Sequence, residues 1–200
     1  MNERTEITVS AGALLLAAAL WLFDRTGMVS VLIPAVMVHE LGHAAAIAAM
    51  GGHIETIAME ASGFRMDYRG VMGRGGELFA AAAGPASGLI LSLAAAAAGR
   101  GLESEFLKCL AGVSFALSLF NLLPVFPLDG GRILSVCLEG LLPDISDMVM
   151  FLSGIIAGGG IVLFGLYTAY KFGTFSPISA GIWILLSNIK ANGLVKNRRV

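Results

Sequence analysis

The sequence predicts an all-α polytopic membrane protein with about six transmembrane helices and one small membrane-associated β-hairpin. Of its 200 residues, 56% are hydrophobic and only 14% are charged, and the mean hydropathy is +0.82. Soluble globular domains do not have this composition. The charged residues divide the chain into apolar runs long enough to cross a bilayer. One glycine-rich segment instead alternates apolar and polar residues with period two, as strands do.

The apolar runs between charged residues give the expected membrane spans. We place six spans at residues 7–23, 28–50, 78–99, 109–123, 148–170 and 178–189. Residues 133–142 are predicted to form a short additional helix. We treat residues 1–192 as a single integral membrane domain and residues 193–200 as a basic cytosolic tail.

The segment 51–76 differs from the spans because it is rich in glycine and mixed in charge. Two short stretches, 54–57 and 64–69, alternate apolar and polar residues on either side of a glycine-bearing turn at 61–63. This pattern predicts a β-hairpin, and its edge could take up an extended peptide. An ordinary polar loop is the alternative.

The most informative stretch is His39-Glu40-Leu41-Gly42-His43, which lies inside the second apolar run. On a helix, His39 and His43 share one face about 6 Å apart along the axis, close enough for both imidazoles to bind one metal ion. Glu40 follows the first histidine and could contact a water on that ion. The alternative is a polar patch that joins helices or lines a pore. It is disfavoured because a carboxylate at mid-bilayer costs about 2.5–3.5 kcal/mol.

A second informative stretch runs from Asn121 to Arg132, with the sequence NLLPVFPLDGGR. Pro124 and Pro127 end the preceding helix, so Asp129 is presented from irregular backbone or from the start of a new helix. By itself, Asp129 could simply cap that helix. Together with two histidines it completes a catalytic zinc set of two imidazoles and one carboxylate, which leaves the fourth position for water. We therefore expect one Zn²⁺ per chain.

The basic residues indicate which side of the membrane holds the termini. With six spans, both termini lie on one side, and that side carries nine basic residues against four on the other. Such an excess marks the cytosolic side, so we expect a multi-pass protein of the cell membrane with both termini in the cytosol. The nine are Arg4, Arg65, Arg69, Arg74, Arg132, Lys190, Lys196, Arg198 and Arg199, and the four are Arg25, Arg100, Lys108 and Lys171.

Three motifs of this sequence are similar to those of the site-2 protease family of intramembrane zinc metalloproteases. They are His39-Glu40-Leu41-Gly42-His43, Ala83-Gly84-Pro85 and the stretch from Asn121 to Gly131. The resemblance implies that His39, His43 and Asp129 bind zinc. It also implies that Glu40 is the catalytic base, that the segment after the second span holds the substrate as a strand, and that Asn121 helps to position the cleaved segment.

The six-span layout most resembles the bacterial sporulation type of this family, which processes a membrane-associated sigma-factor precursor. Many members of that type end in a cytosolic nucleotide-sensing domain, whereas this chain stops at Val200, so we expect that domain to be lacking. A second departure is Ser87-Gly88, which stands where the family often carries an asparagine shortly after Ala-Gly-Pro.

The expected function is that of an intramembrane zinc endopeptidase that cleaves membrane-embedded or membrane-associated proteins near the cytosolic side. The expected partners are the lipid bilayer, a protein substrate and a regulatory membrane protein. A net charge of -1 gives no electrostatic case for nucleic acid. The rival prediction is a non-proteolytic zinc-binding transporter or scaffold. Glu40 separates the two, because a transporter needs the metal ligands but not the base.

Overall fold

A computed structural model gives the fold for residues 5–60, 63–70 and 73–198, with side chains described as far as residue 190. Over these residues the chain forms seven helices and three strands. In chain order they are β1 (Glu6–Val9), α1 (Ala11–Phe23), α2 (Met28–Ala49), β2 (His53–Glu60), β3 (Gly63–Arg69), α3 (Arg74–Gly101), α4 (Glu105–Asn121), α5 (Asp129–Leu141), α6 (Ser146–Phe172) and α7 (Ser176–Arg198). Each predicted span overlaps a helix. The additional helix expected at 133–142 is α5, which begins earlier, at Asp129.

Three of the described helices, α2, α3 and α6, are long and apolar enough to cross a membrane by length and composition. α1 is also apolar, but it has only 13 residues. The mostly helical, membrane-type fold is therefore confirmed. That the chain crosses the membrane six times stays a prediction.

The strands form one sheet in the order β1-β2-β3. β2 and β3 are the predicted hairpin, since they pair in antiparallel fashion from His53 opposite Arg69 to Glu60 opposite Gly63. The register shifts between Ile54 and Thr56. The hairpin therefore contains a local irregularity close to the end of α2.

The prediction that the first span begins at residue 7 is wrong. Ile7 belongs to β1, which pairs in parallel with β2 and lies opposite Ile57. A four-residue strand that leads into an apolar helix cannot be separated from that helix by hydropathy. Its partner strand also lies 50 residues further along the chain, beyond the reach of any local pattern. Ser10 then ends the strand and caps α1, where its hydroxyl accepts from the Ala13 N–H at 3.1 Å.

Some predictions concern residues outside the described part of the chain. They are Ala61 and Ser62 of the expected turn, Arg4 and Arg199 of the charge comparison, and Val200 of the expected tail. The expected start of that tail, residue 193, lies within α7.

The chain divides into two compact units, Met1–Leu119 and Phe120–Val200. In the first unit, α2, α3 and α4 pack around a core of small and branched side chains, namely Val31, Ala35, Ala95, Leu110 and Ala111. A second cluster joins the last turns of α2 to α3 and to the sheet, through Ala46, Ile47, Ala80, Ile54, Met66 and Tyr68. The sheet is thereby attached about one turn after His43.

In the second unit, the loop between α4 and α5 packs on α6 and α7. The fully or almost fully buried side chains there are Val125, Leu128 and Ile184, and they are surrounded by Phe120, Leu123, Ala157, Ile161 and Trp183. α6 and α7 are joined by the amide of Asn188, which donates to the carbonyl of Phe151 at 2.9 Å. The loop that leads to Asp129 is thus anchored within its own unit.

The start of α2 is held by the carboxylate of Asp24. Its Oδ2 accepts from the Val29 N–H at 2.7 Å, and its Oδ1 accepts from the N–H groups of Thr26 and Met28 at 3.0 and 3.1 Å. These hydrogen bonds, with the one from Val29 the largest contribution, lower the pKa of Asp24 from 3.8 to about 2. A charged acceptor at this position satisfies backbone donors that the helix itself leaves unpaired.

Asp24→Asn is expected to lower the thermal unfolding midpoint at neutral pH, because an amide oxygen accepts hydrogen bonds more weakly than a carboxylate. The folded-state pKa is below the unfolded value, so the contribution of the carboxylate is present above pH 3.8 and is lost as the pH falls to about 2. The difference in unfolding midpoint between wild type and variant should therefore disappear as the pH falls over that range. Thermal unfolding in detergent, followed by circular dichroism, measures this difference.

Asp144→Asn, in the exposed turn before α6, is the control. A difference that stays constant down to pH 2 would contradict this role.

Candidate metal centre

The two histidines of the α2 motif meet inside the first unit. His39 and His43 lie one turn apart on the buried face of α2, where they are only 4% and 8% exposed. Their Nε2 atoms are 3.2 Å apart. The rings meet edge to face, with centroids 4.9 Å apart. The structure therefore brings together the two side chains that the sequence spacing predicts to meet.

A backbone carbonyl on α3 fixes which ring nitrogen of His43 carries the hydrogen. His43 Nδ1 lies 2.7 Å from the carbonyl oxygen of Ala80, and a carbonyl can only accept. Nδ1 is therefore the donor, and Nε2 is the ring nitrogen that faces His39. Histidines that bind metals commonly have this arrangement, because the second hydrogen bond orients the ring and raises its basicity.

Gly84 on α3 gives the His43 ring its space. A Cβ atom at Gly84 would lie 2.1 Å from Nε2 and 2.4 Å from Cε1 of His43, far inside any van der Waals contact. The absence of a side chain thus lets the backbone of α3 cover the imidazole. The sequence motif Ala83-Gly84-Pro85 is visible without a structure, but its contact with His43 is not.

The two remaining predicted residues of the site are both half-buried. Glu40 follows His39 on α2, and one residue along a helix is a rotation of about 100°. The side chain of Glu40 therefore leaves α2 next to the face that carries the two histidines. Asn121 is the last residue of α4.

Asp129 is the first residue of α5 in the second unit, and it is 8% exposed. The N-cap position belongs to Leu128, so the alternative in which Asp129 is the helix cap does not describe this helix. A carboxylate in the first turn is favoured by the positive end of the helix dipole. The start of α5 is therefore a favourable position for the Asp129 side chain.

The glycines after Asp129 allow the preceding loop to fold back over the start of α5. A Cβ at Gly130 would lie 2.2 Å from the carbonyl oxygen of Leu122, and one at Gly131 would lie 2.5 Å from that of Val125. Both positions therefore require glycine. Asp129 therefore lies in the first turn of α5, and the two glycines after it let the preceding loop pack closely over that turn.

His39 and His43 in the first unit and Asp129 in the second unit are buried side chains of types that bind metal ions. Two imidazoles and one carboxylate are a donor set that zinc takes in catalytic sites, where a fourth position stays open for water. The residues present therefore fit Zn²⁺, the cofactor that the sequence predicts.

Fold and candidate site together indicate a class of protein: a helical membrane protein with two converging histidines, side chains of a type that binds metal ions, on a helix apolar enough to cross the bilayer. Residues 98–157 match Peptidase family M50. That stretch contains Asn121 and Asp129 but not the histidine motif of α2.

Two curated relatives carry names of the same class. The protein sll0528 of Synechocystis sp. (strain PCC 6803), named as a candidate zinc metalloprotease, is 29% identical over 180 residues, which are 84% of this chain and 47% of the relative. Rip3 of Mycobacterium tuberculosis, named in the same way, is 36% identical over 132 residues, which are 58% of this chain and 32% of Rip3. The chain thus spans less than half the length of either relative.

A solved structure shows the fold. A site-2 protease from Methanocaldococcus jannaschii superposes with a TM-score of 0.68 and 24% sequence identity, over 92% of this chain and 89% of that chain. The chain therefore has a site-2 protease fold. The family match and the names of the relatives agree with the predicted class, a zinc metalloprotease, while the sporulation subtype stays a prediction.

Gly84→Ala should weaken zinc binding while leaving the helices in place. The added methyl group would overlap the His43 ring, which must then turn away from His39. We expect zinc affinity to fall by about 10–100-fold or more, as it does when the groups that orient a ligand are lost. Elemental analysis of the purified protein, with zinc titration, measures this. Gly75→Ala on the same helix is the control, because nothing lies within 4 Å of a Cβ there. Wild-type zinc affinity in Gly84→Ala would show that His43 is not constrained in this way.

Proposed function

We propose that this chain is an intramembrane zinc endopeptidase, which cleaves membrane-embedded or membrane-associated proteins. The observation that carries the proposal is the pair of buried imidazoles on α2, whose Nε2 atoms converge to 3.2 Å inside a helix apolar enough to span a membrane. Two histidines and a glutamate are costly to place in a spanning helix, so their presence favours a functional role. The family match and the names of the relatives support the same activity.

The proposed zinc ligands are His39, His43 and Asp129. Zinc, when bound, would lower the pKa of a water molecule and polarise the carbonyl of the scissile peptide bond. The chain itself supplies the orientation of the ligands. The Ala80 carbonyl fixes the ring of His43, and the start of α5 fixes Asp129.

Glu40 is the proposed catalytic base. It directly follows a ligand and is half-buried, so its carboxylate can take a proton from the attacking water and later pass it to the leaving amine. Asn121 is proposed to hold the substrate, because an amide side chain can donate to one peptide group and accept from another.

The proposed route for the substrate is addition of an extended segment to the edge of the sheet at β3. Helical substrates hide their peptide bonds in internal hydrogen bonds, so a cleaved segment must first unwind. β3 is an edge strand, and such an edge offers unpaired backbone groups to an extended peptide. The sheet is fixed to α2 just after the histidines, through Ile47 and its neighbours. We further propose a multi-pass arrangement in a bacterial cell membrane, with cytosolic termini and cleavage near the cytosolic side.

Proline substitutions along β3 test the proposed route. Proline removes one backbone donor at a time, and where the N–H points away from β2 it leaves the sheet intact. At those positions we expect cleavage to fall while thermal stability is retained. Cleavage of a co-expressed membrane substrate, followed by immunoblot, and the unfolding midpoint of each variant give the two readings. Unchanged cleavage throughout residues 64–68 would exclude the β3 edge.

Glu40→Gln and Asp129→Ala test the chemistry as a pair. Glu40→Gln should keep its zinc but lose cleavage by about 10²–10⁴-fold, the usual contribution of a general base. Asp129→Ala should lose most of its zinc as well as its activity. The measurement is co-expression with a panel of single-span and sporulation-type membrane substrates, combined with metal analysis of each purified protein.

The outcomes separate the proposals. Zinc in both wild type and Glu40→Gln, with no cleavage of any substrate by either, would favour the non-proteolytic transporter or scaffold. Cleavage by Glu40→Gln at the wild-type rate would exclude this residue as the base. Full zinc content in Asp129→Ala would exclude that carboxylate as a ligand.

A further inference from the structure

Ser87 on α3 contacts the backbone of α2 next to the first histidine of the motif. Its Oγ lies 3.0 Å from the carbonyl oxygen of Val38 and 2.7 Å from that of Gly84 in its own helix. A hydroxyl has one hydrogen, and a donor placed between two carbonyls shares it. The Val38 carbonyl belongs to the peptide group that joins Val38 to His39, so this contact reaches the backbone of a proposed ligand.

Gly42 makes this contact geometrically feasible. A Cβ at Gly42 would lie 2.3 Å from Ser87 Oγ and 2.8 Å from Ser87 Cβ. The hydroxyl therefore fits against the bare backbone of α2, one turn after Val38. Any side chain at Gly42 would displace it.

α3 thus holds the histidine-bearing turn of α2 at two points. One is the Ala80 carbonyl, which binds Nδ1 of His43 at 2.7 Å. The other is the Ser87 hydroxyl, which binds the Val38 carbonyl two turns further along α3. Each contact lies off the axis of α2, so each opposes rotation of the helix about that axis, and together they also keep the helix from pivoting about either point.

The size of the effect follows from helix geometry. Side chains extend about 5–6 Å from the helix axis, so a rotation of about 10° moves their tips by about 1 Å. A misplacement of that size is enough to lower a catalytic rate by about 10²-fold.

We infer that Ser87 is a positioning residue for the metal site, which acts through the Val38–His39 peptide group to fix the rotation of α2. The inference rests on the proposed function, because it concerns the ligands His39 and His43. Ser87 is not a ligand or a base in this scheme.

The chain offers a matched control on the same helix. Ser92 also donates its hydroxyl to a carbonyl of a neighbouring helix, that of Ala111 on α4, at 2.8 Å. Ser87→Ala and Ser92→Ala therefore remove the same chemical group and the same kind of contact between helices. Only the first of these contacts reaches the turn that carries the histidines.

The experiment compares the wild type, Ser87→Ala and Ser92→Ala as purified full chains in detergent. Each protein is stripped of metal and titrated with Zn²⁺ against a competing chelator, and then with Co²⁺, whose visible spectrum reports the ligand geometry. We expect Ser87→Ala to bind both metals about 10–100-fold more weakly, as after other losses of groups that orient ligands, and to show an altered Co²⁺ spectrum. Ser92→Ala should keep the wild-type affinity and spectrum, although its unfolding midpoint falls by a similar amount.

Two results would overturn the inference while leaving the proposed function standing: wild-type affinity and spectrum in Ser87→Ala, or equal weakening of metal binding in both variants. A wild-type protein that binds neither metal would instead overturn the proposed function, and the positioning role with it.

Discussion

The close approach of α2 and α3 is the constraint on which the first unit depends. A Cβ at Gly42 would lie 2.6 Å from the carbonyl oxygen of Ala83, and one at Gly84 would overlap the ring of His43. In lipid no hydrophobic effect drives helices together, and small residues let their backbones approach closely enough for van der Waals packing to stabilise the pair. The same approach places the Ala80 carbonyl against His43. Helix packing and orientation of the imidazole are therefore two results of one contact.

The second unit uses glycine in the same way around Asp129. Irregular backbone at membrane depth must bury its polar groups against protein, and the loop before α5 does so partly through its own bonds. Val125 N–H donates to the Leu123 carbonyl at 2.8 Å, and Leu128 N–H donates to the Val125 carbonyl at 2.9 Å. Gly130 leaves room for the loop to lie directly over the first turn of α5. The backbone that carries Asp129 is therefore held closely by the loop before it.

Local patterns predict much of this fold and part of the site. Apolar runs give the positions of the helices, because membrane helices satisfy their hydrogen bonds within the segment. The spacing of His39 and His43 predicts that their side chains meet, because both lie on one helix. Contacts between distant segments are not predictable in this way. The Ala80 carbonyl has no sequence signature, since every residue has one. β1 is equally hidden, because its partner is a strand 50 residues away.

The sheet has one edge strand, β3, that is rich in charged side chains. An exposed edge strand invites pairing with other chains, and charged side chains are the usual protection. β3 carries Arg65, Asp67 and Arg69 at alternate positions, and these pair with Glu60 and Glu55 or with each other at the solvent-exposed face. These charged side chains have their partners within the hairpin. They therefore lie on the face of the sheet and leave the backbone edge of β3 uncovered. β1 covers the opposite edge of β2, and a third strand gives a sheet the stability that an isolated hairpin lacks in water. The third strand of this sheet comes from before α1, and this is the element that hydropathy could not reveal.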